Sequence, residues 1–133
     1  MAFPATPQAV RQSLARMLAM PPLCFLSDDG RSTAELVLAE VLNNVAEHAY
    51  RNGHGSVSVS VGRTAQGVQC MIVDQGREMP GGTLPEGCPP ALPDTALDHL
   101  PEGGFGWHLI RSLTSELSYA RIDGCNHLRF VLP

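Results

Sequence analysis

The sequence predicts an α+β fold, a two-layer sandwich in which helices cover one face of a mixed, mainly antiparallel sheet. Two patterns carry this prediction. Apolar residues recur every three or four positions between Ala34 and Ala49, which is the period of an amphipathic helix. Residues 56–73 and 117–132 each contain two strand-like runs joined by a short turn, which is typical of antiparallel hairpins.

Length and charge limit the classes of protein to which the chain belongs. Its 133 residues predict one domain, residues 1–133, and 44% of them are hydrophobic, which is an ordinary globular composition. The formal net charge is -4, and the nine basic residues are all Arg, with no Lys. A nucleic-acid partner is therefore not expected, because no basic run is present to neutralise phosphates.

The cysteines and the hydropathy pattern predict a cytoplasmic protein without a membrane segment. The four cysteines are far apart in the chain and form no C-x-x-C pair, so we expect free thiols; they are Cys24, Cys70, Cys88 and Cys125. The N-terminus lacks the uninterrupted apolar run of a signal peptide, and no stretch is long enough to span a bilayer.

The N-terminal third predicts a loose terminus and two helices. Residues 1–5 carry no pattern. Thr6-Pro7 offers an N-cap followed by proline at the first helical position, and this helix should end before Pro21-Pro22. Ser27-Asp28-Asp29 caps the second helix, which we expect to continue through Tyr50 and to stop at residues 52–55.

One edge of this long helix carries polar residues beside the apolar stripe. Glu40, Asn44 and His48 are spaced four residues apart, so their side chains stack one helical turn above another at the rim of the core. Either the three residues belong to a functional site or they are ordinary surface residues. Spacing alone does not separate these interpretations.

A central strand ends in a carboxylate. Residues 56–61 alternate valine and serine, residues 65–67 form a turn, and residues 68–73 are apolar enough to lie near the middle of a sheet. Asp74 follows at the end of this strand. Gly76 comes two residues later, where the backbone turns or approaches another group closely.

The segment after Gly76 predicts a lid and a third helix. Residues 77–103, the lid segment, are rich in proline and glycine and are long for an irregular connection, which favours a functional loop with one short helical turn at residues 94–100. Gly104-Phe105-Gly106 then opens a helix whose inward residues we expect to be Leu109, Ile110, Leu113 and Leu117. Backbone N–H groups at such a start suit a phosphate, although glycine there is often only a turn.

Together these segments resemble the GHKL superfamily of ATP-binding domains, which includes gyrase, Hsp90, histidine kinases and MutL. The run Glu40-x-x-x-Asn44-x-x-x-His48-Ala49-Tyr50 is most similar to the anti-sigma-factor serine/threonine kinases of bacterial partner-switching systems. The resemblance covers roughly residues 30 to 132 and implies a Bergerat-type ATP-binding fold. It also implies ATP and Mg²⁺ as cofactors, an anti-sigma-factor antagonist as partner, with a sigma factor as a second one, and homodimerisation through helical surface near residues 7–20.

The resemblance assigns roles to individual residues. Asn44 would bind Mg²⁺ through its carboxamide oxygen, and Glu40 would act as the general base or as an orienting group for the attacking hydroxyl. Asp74 would accept a hydrogen bond from the adenine amino group, and Gly76 would let the ring approach the backbone. The glycine segment, Gly104, Phe105 and Gly106, would wrap the phosphates. The resemblance leaves the role of His48 open, and a core or supporting histidine is an equal alternative.

The chain departs from the family pattern at three points. Trp107 is bulky where smaller apolar residues are usual, and Phe105 replaces Leu or Met. The lid segment has Arg77 as its basic residue. Positive charge for phosphoryl transfer would therefore come from Arg77 or Arg111.

Four hypotheses follow: a serine/threonine kinase, a nucleotide-binding interaction module without kinase activity, a structural α/β domain without nucleotide, and a detached histidine-kinase catalytic domain. The kinase is the first of these.

Overall fold

The computed structural model describes residues 1–50, 55–86 and 104–133, and of residues 104 and 105 it describes the backbone only. The helices are α1 (Pro7–Leu18), α2 (Asp28–Asn44) and α3 (Gly104–Leu113). The strands are β1 (Ala2–Pro4), β2 (Ser56–Thr64), β3 (Gly67–Asp74), β4 (Ser115–Ile122) and β5 (Cys125–Leu132). Short 3₁₀ turns cover Leu23–Phe25 and Pro80–Gly82.

The predicted α+β sandwich is confirmed. The strands form one sheet in the order β1-β2-β3-β5-β4, and each of the four pairings in the described part of the chain is antiparallel. β3 lies at the centre, as its apolar sequence predicts. Both expected hairpins, β2–β3 and β4–β5, are present.

The core lies between one face of the sheet and the helices. The register pairs Val59 with Ile72 and Ile72 with Leu128, so buried side chains from three strands line up across the sheet. The apolar stripe of α2 packs in the same core, and its most buried members are Ala34, Val37, Leu38, Val41 and Leu42. α1 and α3 both contact α2, which makes α2 the central helix of the layer.

The predicted helix starts are confirmed. The Thr6 hydroxyl accepts a hydrogen bond from the Ala9 amide at 3.2 Å, and the Ser27 hydroxyl accepts one from the Gly30 amide at 3.1 Å. Each bond satisfies an amide that has no partner inside its helix. No helix in the part of the chain that the structure describes is both long and apolar enough to cross a bilayer.

Residues 1–5 do not form the loose terminus that we predict. Ala2–Pro4 is the edge strand β1, with Phe3 opposite Val57 and the Val59 amide donating to the Met1 carbonyl oxygen at 2.8 Å. Phe3 and Ala5 are buried. A strand of three residues has no periodicity to detect, so this pairing is decided by the neighbouring strand and not by local sequence.

The long helix is regular only as far as Asn44. Val45–Ala49 forms a π-helical turn, in which the hydrogen bonds span five residues, and the chain becomes extended at Tyr50. The prediction of one uninterrupted α-helix through Tyr50 is therefore wrong for its last turn. The predicted stop at residues 52–54, the short helical turn at residues 94–100 and residues 87–103 of the lid segment lie outside the described residues.

The inward face of α3 differs in part from the prediction. Ile110 is fully buried, and Leu109 and Leu113 are partly buried, but Leu117 belongs to β4 because the helix ends at Leu113. Trp107, which was not among the predicted inward residues, is 5% exposed and packs in the core. The period of 3.6 residues places it on the same side as Ile110.

Cys24, Cys70 and Cys125 are free thiols, as predicted, and Cys70 leads to a pH-dependent prediction. Burial raises the pKa of the Cys70 thiol from 9.0 to about 12. Above pH 9 the unfolded chain loses this proton while the folded chain keeps it, so stability should fall as the pH rises. The loss should reach about 2 kcal/mol at about pH 10.5.

Urea unfolding at several alkaline pH values measures this loss. Cys70→Ala should start less stable but lose less stability between about pH 8 and pH 10.5, because it has no thiol at this position. Since the chain has no Lys, lysine side chains contribute nothing to either slope over this range. Equal slopes for the two chains would contradict the prediction.

Candidate functional site

A cavity of about 450 Å³ opens where α2 and its π-helical turn meet the end of β3, a volume typical of small-molecule sites. We call it the β3-end cavity. Its walls are mainly apolar and come from α2, from the sheet, from the first part of the lid segment and from α3. The apolar residues include Val41, Val45, Ile72, Met79, Trp107 and Leu128. The polar residues on its wall include Asn44, His48, Asp74, Tyr119 and Asn126.

Asp74 is a buried residue of the cavity wall, and the described residues bond only one oxygen of its carboxylate. The residue is 7% exposed, and its Oδ1 accepts hydrogen bonds from the Gly76 amide and from Asn126 Nδ2, both at 2.8 Å. Among the described residues, both donors to Asp74 use Oδ1. Oδ2 is therefore left to accept a hydrogen bond from a ligand in the cavity.

Asn126 is a site residue that the sequence did not reveal. It lies opposite Asp74 in the β3–β5 register and is 6% exposed. Its Oδ1 accepts hydrogen bonds from the Tyr119 hydroxyl at 2.5 Å and from Arg121 Nη1 at 2.9 Å. The available signal was a polar residue at a strand position that should face the core, but it points to Asp74 only once the register between β3 and β5 is known.

Asn44 lines the cavity from the last turn of α2, as its predicted role requires. Its Nδ2 is buried and has no hydrogen-bond partner among the described residues. A carboxamide that the protein does not hold through its nitrogen can turn its oxygen toward a cation. The described residues contain no group of three His, Cys, Asp or Glu side chains placed to hold a metal ion by themselves. One carboxamide oxygen, that of Asn44, fits Mg²⁺ whose other ligands are phosphate oxygens and water, as is usual for this ion.

Glu40 lies beside the start of α3 and is not part of the cavity wall. Its Oε2 is so close to Gly106 that a Cβ at that position would overlap it. A carboxylate is favourable there, because unpaired amides and the helix dipole make the N-terminus of a helix positive. The structure thus brings together Glu40 and the glycine segment, two features that are far apart in the sequence.

α3 begins at Gly104, so the predicted glycine segment does form the start of a helix. Gly104 and Gly106 lie in its first turn, whereas the Phe105 side chain lies outside what the structure describes. Trp107 follows and lines the cavity, so the bulky residue that departs from the family pattern forms part of the site wall. Phosphate binding by Gly104, Phe105 and Gly106 stays a prediction.

His48 lies at the mouth of the cavity within the π-helical turn. Its side chain is about half exposed, with Nε2 3.5 Å from Glu47 Oε2, so it is not a core histidine. Its main-chain oxygen accepts hydrogen bonds from Nε and Nη2 of Arg77, at 3.0 and 2.5 Å. The backbone of His48 thus helps to hold the start of the lid segment.

The two arginines predicted to supply positive charge are both bound to main-chain oxygens. Arg77 holds the carbonyl of His48, and Arg111 donates to the carbonyls of Pro85 at 2.8 Å and Leu84 at 3.3 Å. Carbonyls do not neutralise a guanidinium, so both charges persist. The bonds do fix their positions, however, and they fasten the first part of the lid segment to α3 and to the π-helical turn that follows α2.

Gly76 approaches the protein's own backbone closely. A Cβ at this position would overlap the carbonyl group of Ala49 in the π-helical turn, and the Arg77 amide donates to that same carbonyl oxygen at 2.7 Å. The close approach predicted from the glycine is therefore present, and its described partner is Ala49. Contact of Gly76 with an adenine ring stays a prediction.

Gly76→Ala should destabilise the fold by about 3 kcal/mol, because rigid backbone must move to admit the methyl group. Thermal and urea unfolding measure the change. Gly62→Ala is the matched control, since a Cβ on Gly62 meets nothing within 4 Å, and it should be neutral or slightly stabilising. Equal stabilities of the two variants would show that the contact between Gly76 and the Ala49 carbonyl group is not tight.

Tyr50 joins the end of the long helix to β2 and to the residue that follows β3. Its hydroxyl donates to the Ser56 carbonyl at 2.7 Å and accepts from the Gln75 amide at 2.8 Å. Burial raises the pKa of Tyr50, and the nearby Asp74 carboxylate acts in the same direction. The neutral hydroxyl therefore holds the backbone beside Asp74.

Comparison with known proteins identifies related sequences. Residues 3–132 match a family profile described as a histidine kinase-like ATPase domain. The chain is 36% identical over 100 residues to the serine/threonine-protein kinase BtrW of Bordetella bronchiseptica, covering 74% of this chain and 67% of that protein. It is 25% identical over 96 residues to the serine-protein kinase RsbW of Bacillus mycoides, covering 72% of this chain and 60% of the relative. The chain thus matches only part of the length of these kinases.

Proposed function

This chain belongs to the histidine kinase-like ATPase domain family, and we propose that it is an ATP-dependent serine/threonine-protein kinase that phosphorylates a small anti-sigma-factor antagonist. The proposal takes residues 1–133 as one ATP-binding domain. Similarity to relatives that are named serine or serine/threonine kinases supports it. A cytoplasmic location, a sigma factor as second partner and homodimerisation through the surface near residues 7–20 belong to the same proposal.

The single observation that carries the proposal is that Asp74 and Asn44 line the same cavity. Asp74 offers Oδ2 as an acceptor among apolar walls, which suits an aromatic ring with an amino group such as adenine. Asn44 lines the same cavity on α2, one helical turn after Glu40. The base would therefore lie on Asp74 and the phosphates would extend past Asn44 toward α3.

Asn44 would hold Mg²⁺ through its carboxamide oxygen, and the ion would neutralise charge on the phosphates. The remaining transfer chemistry falls to Glu40. The serine or threonine oxygen of the antagonist attacks the γ-phosphorus, and the bond from that phosphorus to the β-phosphate oxygen breaks. The hydroxyl proton passes to the Glu40 carboxylate, and the products are phosphoprotein and ADP. Amides at the start of α3 would stabilise the negative charge.

Incubation with Mg-ATP and a candidate antagonist domain tests the kinase proposal. We expect one phosphate per antagonist, on a serine or threonine, detected by intact mass and by radiolabel from γ-labelled ATP. The same reaction with the antagonist residue changed to alanine is the control. Binding of ATP without transfer to any antagonist encoded near the gene would contradict kinase activity while leaving nucleotide binding intact.

The second candidate function is a nucleotide-binding interaction module without kinase activity. The bonds of Arg77 and Arg111 to main-chain oxygens favour it, because they draw both guanidinium groups toward the protein backbone. In that case Glu40→Gln would leave partner binding and its nucleotide dependence unchanged. A pull-down of the antagonist in the presence of ADP or ATP measures this dependence.

Asn44→Ala should remove the effect of Mg²⁺ on nucleotide binding. We expect the wild-type chain to bind ATP at least about tenfold more tightly with Mg²⁺ than with EDTA, and the variant to show the same affinity in both, because the proposed metal ligand is gone. Calorimetry provides both affinities. Asn43→Ala is the matched control, since Asn43 is the preceding residue on α2 and is exposed. A magnesium effect retained in Asn44→Ala would remove this residue from the metal site.

A further inference from the structure

Asn126 uses its complete hydrogen-bonding capacity inside the protein. Its Nδ2 donates to Asp74 Oδ1 at 2.8 Å and to the Arg77 carbonyl at 2.7 Å. Its Oδ1 accepts from Tyr119 and from Arg121. A carboxamide has two donor hydrogens and two acceptor lone pairs, so none is left for a ligand. Asn126 therefore acts on the cavity through Asp74 and through the backbone.

Asn126 and Gly76 bond to the same oxygen of Asp74 and leave the other oxygen without a donor among the described residues. Two N–H groups, those of Gly76 and Asn126, converge on Oδ1 and hold the carboxylate plane against rotation. Only Oδ2 remains for the base. An ordered acceptor favours an amino group at this point and repels a carbonyl oxygen, so the orientation of Asp74 sets a preference between these two groups.

The same strands also hold the backbone that follows Asp74. Arg121 Nη1 donates to the Gly76 carbonyl at 2.6 Å, and the Tyr119 hydroxyl accepts from the Met79 amide at 3.0 Å. With the bond from Asn126 to Arg77, side chains of β4 and β5 contact Gly76 and two residues at the start of the lid segment, Arg77 and Met79. Asn126 is the member that contacts both this segment and Asp74.

We propose that Asn126 is a positioning residue for base selectivity, one that fixes the Asp74 carboxylate and couples its orientation to the start of the lid segment. This inference rests on the proposed ATP binding. Tyr119 and Arg121 support the role by orienting the Asn126 carboxamide. Without Asn126, the carboxylate gains rotational freedom, so it binds the adenine amino group less strongly and also rejects a carbonyl oxygen at the same place less strongly.

The test compares affinities for ATP and for inosine triphosphate, in which a carbonyl replaces the amino group of adenine. Calorimetry with Mg²⁺ measures both. In the wild-type chain ATP should bind more tightly than inosine triphosphate. In Asn126→Ala this preference should fall about tenfold, with most of the loss on the ATP side. His127→Ala is the control, because the next residue along β5 has its side chain on the opposite face of the sheet, and it should keep the preference.

Two milder variants keep the inference falsifiable where Asn126→Ala does not fold. Tyr119→Phe and Arg121→Gln each remove one bond to Asn126 Oδ1, and each should lower the preference about threefold. An unchanged preference in folded Asn126→Ala, or in both milder variants, would overturn the inference and leave the proposed function standing. A wild-type chain that binds neither nucleotide would instead contradict the proposed function, and with it this inference.

Discussion

Glu40→Gln is expected to lower phosphoryl transfer to the antagonist by about 10²- to 10⁴-fold and to change ATP affinity less than threefold. Gln has nearly the same shape as Glu but does not take up the hydroxyl proton. Glu40 lies beside the first turn of α3, whereas Asp74 and Asn44, which would contact the nucleotide, line the β3-end cavity. Transfer and binding should therefore separate in this variant.

Single-turnover transfer and calorimetry with ATP together measure this separation. Glu35→Gln is the matched control, because Glu35 is an exposed glutamate of the same helix and should retain full activity. Gly106→Ala supplies a second probe, since its methyl group would displace the Glu40 carboxylate, and it should also slow transfer. Full transfer by Glu40→Gln would show that Glu40 is not the base.

Asp74→Asn is expected to lower ATP affinity about 100-fold and to reverse the preference between ATP and inosine triphosphate. The two N–H groups that meet Oδ1 require an acceptor there, so the new amide should place its oxygen at that position. Its NH₂ group then faces the cavity where Oδ2 was. This group opposes the amino group of adenine and matches the carbonyl of inosine.

Calorimetry with the two nucleotides checks the reversal. Asp123→Asn is a suitable control, because Asp123 lies in the exposed turn between β4 and β5 and has a φ of 51°, a conformation that Asn tolerates. Loss of ATP affinity without any gain for inosine triphosphate would mean that Asp74 contributes charge and not the orientation of its acceptor. No loss for either nucleotide would remove Asp74 from the base site.

The parts of the fold that were predictable have strong local signals. Thr6 and Ser27 cap their helices because a side-chain oxygen satisfies an amide close by in sequence. The valines of β2 and the apolar run of β3 predicted a hairpin, since alternation is a property of the strand itself. Asp74 stood out for the same reason, as a carboxylate at the end of an apolar strand.

The parts that were missed depend on distant partners. β1 exists because Phe3 and its neighbours pair with β2 more than fifty residues later. The π-helical turn after Asn44 brings Ala49 against Gly76, a contact that no local propensity encodes. The contact of Asn126 with Asp74 could not be predicted because it depends on the register between β3 and β5.

By itself, the sequence determined the fold class and the order of the main elements, and its resemblance to a known family marked Glu40, Asn44 and Asp74 as candidates. The elements were predictable because periodicity, caps and turns act over a few neighbouring residues. Only the tertiary structure decided that Asn44 and Asp74 share a cavity, that Glu40 lies against α3, and that Asn126 donates a hydrogen bond to the Asp74 carboxylate. Those contacts depend on sheet register and helix packing, which are settled by the burial of the whole core.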